Sequence, residues 1–167
     1  MTMEIRKAQD ADFDTIVTIY AAARQFMKEQ GNPDQWGDDY PPVSLLREDV
    51  EAQRLYLCVE EEEILGVFFF DVGEDPTYRE IEAGSWLNDA PYGVIHRIAV
   101  ARQGCGVAAF CFDYAFSRCR NLKIDTHKDN LPMQRALEKR GFVRCGIIYL
   151  ENGDARLAYQ KSEIKGE

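Results

Sequence analysis

The sequence has few of the residues that most often hold metal ions. Only two histidines occur among 167 residues, and no two of the five cysteines stand in a C-x-x-C spacing. Because zinc sites are mostly built from clustered cysteine and histidine, we expect no metal site. The odd number of cysteines also argues against a disulfide framework and predicts reduced thiols, as is usual in the cytoplasm.

A basic surface and a long apolar run are missing as well. The formal net charge is −9, whereas nucleic-acid-binding proteins are usually basic, so we expect no nucleic-acid partner. The N-terminal segment MTMEIRKAQD has no apolar signal region, and we expect no membrane association. With hydrophobic residues at 46%, the chain is expected to form one cytoplasmic domain over residues 1–167.

Hydrophobic spacing and turn residues predict alternating strands and helices. Asp10 and Asp12 are candidate caps of the first helix, which Gly31 ends, and Ser44 is a candidate cap of the second. The order β-α-α-β-β-β-α-β-α-β-β predicts a mixed sheet with helices, in the α/β to α+β range. The predicted strands are Met3–Lys7, Arg54–Val59, Ile64–Val72, Tyr92–Val100, Leu122–Thr126, Phe142–Leu150 and Ala155–Gln160, and the later helices are Ser44–Ala52, Gly104–Arg120 and Asn130–Lys139.

A glycine turn, RQGCG, stands between a predicted strand and a predicted helix. The free N–H groups of a helix N-terminus attract anions, and glycines let a phosphate approach the backbone. The chain has no G-x-x-x-x-G-K-[ST] run. Residues 104–109 do match the dinucleotide pattern G-x-G-x-x-A, with Asp125 about 20 residues further on. Against a Rossmann fold stand His96 and Arg97 in the preceding strand, and the hairpin predicted at the end of the chain.

Residues 92–160 resemble the GNAT superfamily of N-acetyltransferases. Gly104 and Gly106 match the fourth and sixth positions of the family motif [QR]-x-x-G-x-[GA]. Asn130 begins the next predicted helix, and Gly141-Phe142 follows eleven residues later, as in the family. The resemblance implies the GNAT fold, with a mixed, mostly antiparallel sheet of about seven strands flanked by about four helices.

The resemblance also implies acetyl-CoA as co-substrate and a direct attack of a primary amine on its thioester. Backbone groups of the strand before the glycine turn would contact the thioester, and the turn and helix start would hold the pyrophosphate. The acceptor would be a small-molecule or peptide amine, and a homodimer is possible by family analogy. The residues so assigned to the cofactor are Ile98, Ala99, Val100, Gln103, Gly104, Cys105, Gly106, Val107, Ala108 and Asn130.

Two positions depart from the family pattern. Ala101 stands where the motif has arginine or glutamine, so Arg102 or Gln103 is left to supply a side chain to the pyrophosphate. Leu137 stands where many members have the tyrosine that protonates the leaving thiolate. These departures keep open the alternative of a non-catalytic domain that binds or senses acyl-CoA. With leucine at that position, Tyr149 and Tyr114 are the candidates to protonate the thiolate.

His96 is the candidate general base. It lies four residues before Val100, where family members often carry a glutamate on the same strand. Histidine side chains titrate near neutral pH, which suits the removal of a proton from an ammonium group. Cys105 offers an alternative acyl-enzyme route, because a helix N-terminus activates thiols.

The acceptor pocket is predicted to come from irregular segments that carry aromatic residues. Aromatic rings suit an aliphatic or cationic amine. The hypothesis names four substrate-contacting residues: Trp36, Tyr78, Trp86 and His127.

Overall fold

The computed structural model describes residues 2–164. None of the helices in this range is both long and apolar enough to cross a lipid bilayer. Short 3-10 turns cover Asp10–Asp12 and Pro76–Tyr78. The main elements, in chain order, are β1 (Glu4–Lys7), α1 (Phe13–Glu29), α2 (Val43–Glu51), β2 (Leu55–Glu60), β3 (Glu63–Val72), β4 (Gly93–Val100), α3 (Val107–Cys119), β5 (Asn121–Thr126), α4 (Leu131–Lys139), β6 (Val143–Tyr149) and β7 (Ala155–Ser162).

The seven strands form one sheet in the order β1-β2-β3-β4-β5-β7-β6. Among them, β4 and β5 are the parallel pair, and all other neighbours are antiparallel. The mixed, mostly antiparallel sheet with four helices is thus confirmed. A Rossmann fold needs successive parallel strands, so the dinucleotide-binding alternative was wrong.

The parallel strands β4 and β5 touch only where they begin. Their register covers Gly93 opposite Leu122 and Val94 opposite Lys123, and then the pairing stops. The rest of β4 stays bound to β3, while the rest of β5 stays bound to β7. The sheet is therefore split into a wedge whose open end lies between the carboxyl ends of β4 and β5.

Hydrophobic clusters cover both faces of this split sheet. Ile98 packs with the side chains of α3 and α4, including Phe112 and Leu137. Its neighbour Ala99 packs on the opposite face with Tyr20 and Leu46 of α1 and α2. The alternation follows from the two-residue period of a strand. It fixes the rotation of β4 and hence the residues that face the wedge.

Two predicted helix starts differ from the structure, and a third predicted cap, Asp12, has the expected position without the capping hydrogen bond. The helix predicted from Gly104 begins at Val107, because Gly104 and Gly106 have φ values of 76° and 75° and cannot lie in a right-handed helix. The cap of α2 is Pro42, so Ser44 lies within the first turn. Asp12 does not cap α1 with its side chain, because that carboxylate accepts hydrogen bonds from Arg6 and the Gln9 N–H.

Candidate functional site

The open end of the wedge leads into a cavity of about 830 Å³. Ile98 and Thr126 line it from the ends of β4 and β5, and Asn130 and Met133 line it from the start of α4. The segment between α1 and α2 and the turn between β6 and β7 complete the wall. The separation of β4 and β5 therefore creates a site, and segments that are far apart in sequence enclose it.

His96 lies on the wall of this cavity and is bound to a carboxylate. Its Nε2 atom is 2.7 Å from Oδ2 of Asp75, in the loop that follows β3. Because an ionised carboxylate can only accept hydrogen bonds, Nε2 carries the proton and donates it to Asp75. In the neutral ring Nδ1 is then the atom with a free lone pair. The pair thus presents a proton acceptor in a fixed orientation.

The Asp75 carboxylate is held in place by its own loop. Oδ1 accepts hydrogen bonds from the Thr77 N–H at 2.9 Å and the Thr77 hydroxyl at 2.7 Å. The hydroxyl of Tyr92 accepts the Asp75 N–H. Burial disfavours ionisation, but the bonds from His96 and Thr77 outweigh it and lower the pKa of Asp75 to about 2. The Asp75 carboxylate is therefore ionised at neutral pH and can accept the hydrogen bond from His96.

Of the four predicted substrate residues, Trp36 lines the cavity, while Tyr78 and Trp86 do not. The Tyr78 hydroxyl donates to Asp125 Oδ2 at 2.6 Å, and burial together with this carboxylate raises the pKa of Tyr78. Trp86 donates its ring N–H to the Tyr78 carbonyl. Its ring centroid also lies 4.1 Å from the Lys123 ammonium. Tyr78 and Trp86 therefore lie behind the residues that line the cavity, and Tyr78 binds one of those residues, Asp125.

His127, the fourth predicted substrate residue, is turned toward its own backbone. Its Nδ1 accepts the Asp129 N–H at 3.0 Å. Burial, and then the positive charge of Arg156, lower its pKa. His127 is therefore largely neutral at pH 7 and is not among the residues that line the cavity.

Asn130, predicted to contact the cofactor, caps α4. Its Oδ1 accepts the Met133 N–H at 3.1 Å, as expected of an N-cap asparagine. Its Nδ2 donates to Gln35 Oε1 at 2.9 Å. Both ends of the side-chain amide are thus engaged, and Asn130 ties α4 to the segment between α1 and α2.

The backbone of β4 is free along the wedge. The Ala101 N–H donates to the Leu65 carbonyl on the β3 side. Because hydrogen-bonding directions alternate along a strand, the backbone groups of Ile98 and Val100 face the wedge, whereas Ala99 faces β3. Two of the three predicted strand residues therefore direct backbone groups to the same gap.

A bulge in β4 sets this orientation, and sequence reasoning did not identify it. Arg97 has a φ of 52°, and its carbonyl accepts the Tyr20 hydroxyl at 2.6 Å. Its guanidinium makes two hydrogen bonds to the Asp49 carboxylate, at 3.1 and 3.2 Å. An arginine inside an apolar strand was the available signal. Its partners in α1 and α2 are too distant in sequence to infer.

The glycine turn is exposed from Ala101 to Gly106, and the first residue of α3, Val107, is buried. A Cβ at Gly104 or Gly106 would meet nothing within 4 Å. Arg102 forms an ion pair with Glu63 at the start of β3. Cys105 lies over the Gln103 carbonyl, with its Sγ atom 3.6 Å from that oxygen. The remaining predicted cofactor residue, Ala108, is half-buried in the first turn of α3.

The candidate acids for the thiolate lie away from the cavity. Leu137 is fully buried among core residues. Tyr149 is exposed and donates to Glu82, and Tyr114 packs on Tyr56. Among the described residues, Tyr40 is the tyrosine that lines the cavity, and its hydroxyl accepts a hydrogen bond from Arg97. In residues 2–164 no three His, Cys, Asp or Glu side chains are grouped as metal ligands would be.

Solved structures with the same architecture are GNAT acetyltransferases and related proteins. A GNAT-family acetyltransferase from Streptococcus agalactiae 2603 is 29% identical, covers 98% of this chain and 96% of its own, and has a TM-score of 0.89. One from Listeria monocytogenes 4b F2365 is 19% identical, with 95% and 94% coverage and a TM-score of 0.68. The protein yncA of Salmonella typhimurium, solved with its cofactor acetyl-CoA, is 16% identical, with 97% and 94% coverage and a TM-score of 0.65.

Sequence comparisons agree with the structural ones. No curated protein matches the chain. The family model described as "Acetyltransferase (GNAT) family" matches residues 14–142, which is well over half of the sequence. That range includes all but the first residue of α1, the glycine turn, β5 and α4. The chain belongs to the GNAT acetyltransferase family.

Proposed function

We propose that this protein is an enzyme that transfers the acetyl group of acetyl-CoA to a primary amine by direct attack. The observation that carries the proposal is the His96–Asp75 pair on the wall of the cavity at the open end of the wedge. A domain that only binds acyl-CoA has no need of an oriented proton acceptor there. The pair therefore favours catalysis over the sensing alternative.

The residues present fit acetyl-CoA as co-substrate. The turn from Gly104 to Gly106 offers backbone N–H groups at the start of α3, and the space beside both glycines is open to a pyrophosphate. The backbone of Ile98 and Val100, which faces the wedge, suits the pantetheine arm and the thioester carbonyl. Arg102 is engaged by Glu63, so the side chain available to replace the arginine or glutamine missing at Ala101 is Gln103.

Each part of the transfer is then assigned to a group of this chain. His96 Nδ1 accepts the proton that the attacking ammonium must lose, and Asp75 holds the ring while its charge changes. A β4 backbone N–H stabilises the negative charge that develops on the thioester oxygen. Trp36 and Tyr40, which also line the cavity, hold the acceptor. Acetyl-CoA supplies the acyl group: as the new C–N bond forms, the C–S bond of the thioester breaks, and the leaving thiolate takes up the second proton of the attacking nitrogen to become the free thiol of CoA.

Replacement of His96 tests the proposal. His96→Gln keeps a polar side chain without a base, and we expect kcat to fall about 100-fold or more. The Kd of acetyl-CoA should change less than about threefold, because the cofactor contacts lie in other residues. Thiol release over an amine panel measures the first quantity, and calorimetry measures the second.

Glu61→Gln, at the exposed tip of the β2–β3 hairpin, is the matched control and should leave both quantities unchanged. Full turnover in His96→Gln at saturating substrates would contradict the role of His96. Absence of acetyl-CoA binding by the unaltered protein would contradict the proposal as a whole.

A further inference from the structure

A second arginine on the cavity wall differs from Arg97 in its partners. Arg156, in β7, is only 7% exposed and lines the cavity. Its Nη1 donates to the Ala155 carbonyl at 3.0 Å and its Nη2 to the Gln35 carbonyl at 3.3 Å. Arg97 is held by the Asp49 carboxylate. Within residues 2–164, Arg156 forms no ion pair.

A buried guanidinium without a counter-charge is costly, because carbonyl dipoles replace only part of its hydration. Two of its five N–H groups are used by the carbonyls, and the fork geometry of the rest matches a carboxylate. His127, whose pKa Arg156 lowers, adds no negative charge. The position thus favours an anion supplied from the cavity.

A second polar group that lines the cavity also lacks a partner. Thr126 is fully buried and lines the cavity, and its hydroxyl has no hydrogen bond to any of the residues described. Its side chain shares a sheet face with that of its ladder partner Leu157, whereas Arg156, the residue before Leu157, lies on the other face. A buried hydroxyl without a partner normally indicates a missing ligand or water.

We propose that the acceptor carries a carboxylate as well as the amine, and that Arg156 binds that carboxylate. The inference rests on the proposed acetyl transfer and narrows its acceptor to amino acids. The contact of Arg156 with Gln35 places it against the segment between α1 and α2. The other carboxylates that line the cavity, including Asp34, Asp125, Glu151 and Asp154, suit the acceptor's ammonium group.

Paired acceptors test the inference. Thiol release from acetyl-CoA is measured with each L-amino acid, with its carboxamide and with the amine that lacks the carboxyl group. We expect at least one free amino acid to exceed its carboxamide about tenfold or more in kcat/KM. Arg156→Gln should raise KM for that acid about 30-fold, since a charge-assisted bidentate contact is lost. Its kcat and its KM for the carboxamide should change less than about threefold.

Two further variants keep the result interpretable. Arg144→Gln, an exposed arginine on the neighbouring strand, is the matched control and should change neither KM. Arg156→Lys retains the charge without the fork and should give an intermediate KM. Thermal unfolding of each variant shows whether the loss of the Gln35 contact disturbs the fold.

Calorimetric titration of the CoA-bound protein with the same acids and carboxamides separates the two proposals. Preference for the acid without any acetyl transfer would support the carboxylate site and contradict the proposed function. Turnover of plain amines with equal binding of acid and carboxamide would support the function and overturn the carboxylate site. An equal effect of Arg156→Gln on both acceptor classes would also overturn it.

Discussion

At the scale of single residues, the charge of Asp75 depends on three donors. Its side chain is only 15% exposed, so burial alone would favour the neutral acid. His96 Nε2, the Thr77 N–H and the Thr77 hydroxyl each donate to it and reverse that preference. The carboxylate therefore stabilises the fold as well as orienting the candidate base.

Replacement of Asp75 should be visible in acid stability. The pKa is about 2 in the folded protein against an ordinary 3.8. The ionised carboxylate thus contributes about 2 kcal/mol above pH 4, and this contribution is lost as the pH falls from 4 to 2. Asp75→Asn should lower the free energy of unfolding at pH 7 and flatten its decline between pH 4 and pH 2.

Denaturant unfolding at a series of pH values measures this effect. Asp39→Asn, at an exposed position, serves as the control and should keep the wild-type slope. If Asp75→Asn loses stability between pH 4 and pH 2 as steeply as the unaltered protein, the ionised Asp75 carboxylate does not contribute to the stability of the fold.

At the scale of elements, the turn between β4 and α3 combines two left-handed glycines with empty space around them. Gly106 has a φ of 75° and caps α3, but a Cβ there would meet no atom within 4 Å. Alanine would thus cost about 1 kcal/mol through backbone strain alone. If phosphates occupy the space, the same methyl group would also obstruct them.

A pair of glycine variants separates these two effects. Gly106→Ala should lose about 1 kcal/mol of stability and raise the Kd of acetyl-CoA about tenfold. Gly31→Ala, with a φ of 83° and equally open surroundings, should lose similar stability without a change in Kd. Calorimetric titration with acetyl-CoA gives the affinities. Equal affinities in the two variants would place the pyrophosphate elsewhere.

At the scale of the whole molecule, local patterns and long-range contacts differ in how well the sequence reveals them. The sequence predicted the strand with His96, the glycine turn and the helix that starts at Asn130, because each depends on neighbours within a few positions. It identified Arg97 only as an anomaly in an apolar strand. It placed Tyr78 and Trp86 in the acceptor pocket, which they do not line. The presence of an aromatic residue in a loop does not show whether its ring faces a cavity or the protein interior.

The contacts that complete the site join distant segments. Asp75 and His96 are 21 residues apart, Asp49 and Arg97 are 48 apart, and Gln35 and Arg156 are 121 apart. They form only because the sheet order brings the loop after β3, the segment between α1 and α2, and β7 around one wedge. Neither hydrophobic periodicity nor turn signals carry this information.

The most direct test of the account is to follow both products of one reaction. The unaltered protein is incubated with acetyl-CoA and the acceptor panel, and free CoA and N-acetylated product are quantified together by mass spectrometry. The account predicts amine-dependent release of CoA, one N-acetyl product per CoA released, and a strong decrease in both in His96→Gln. Tight binding of acetyl-CoA with no amine-dependent release of CoA would contradict it.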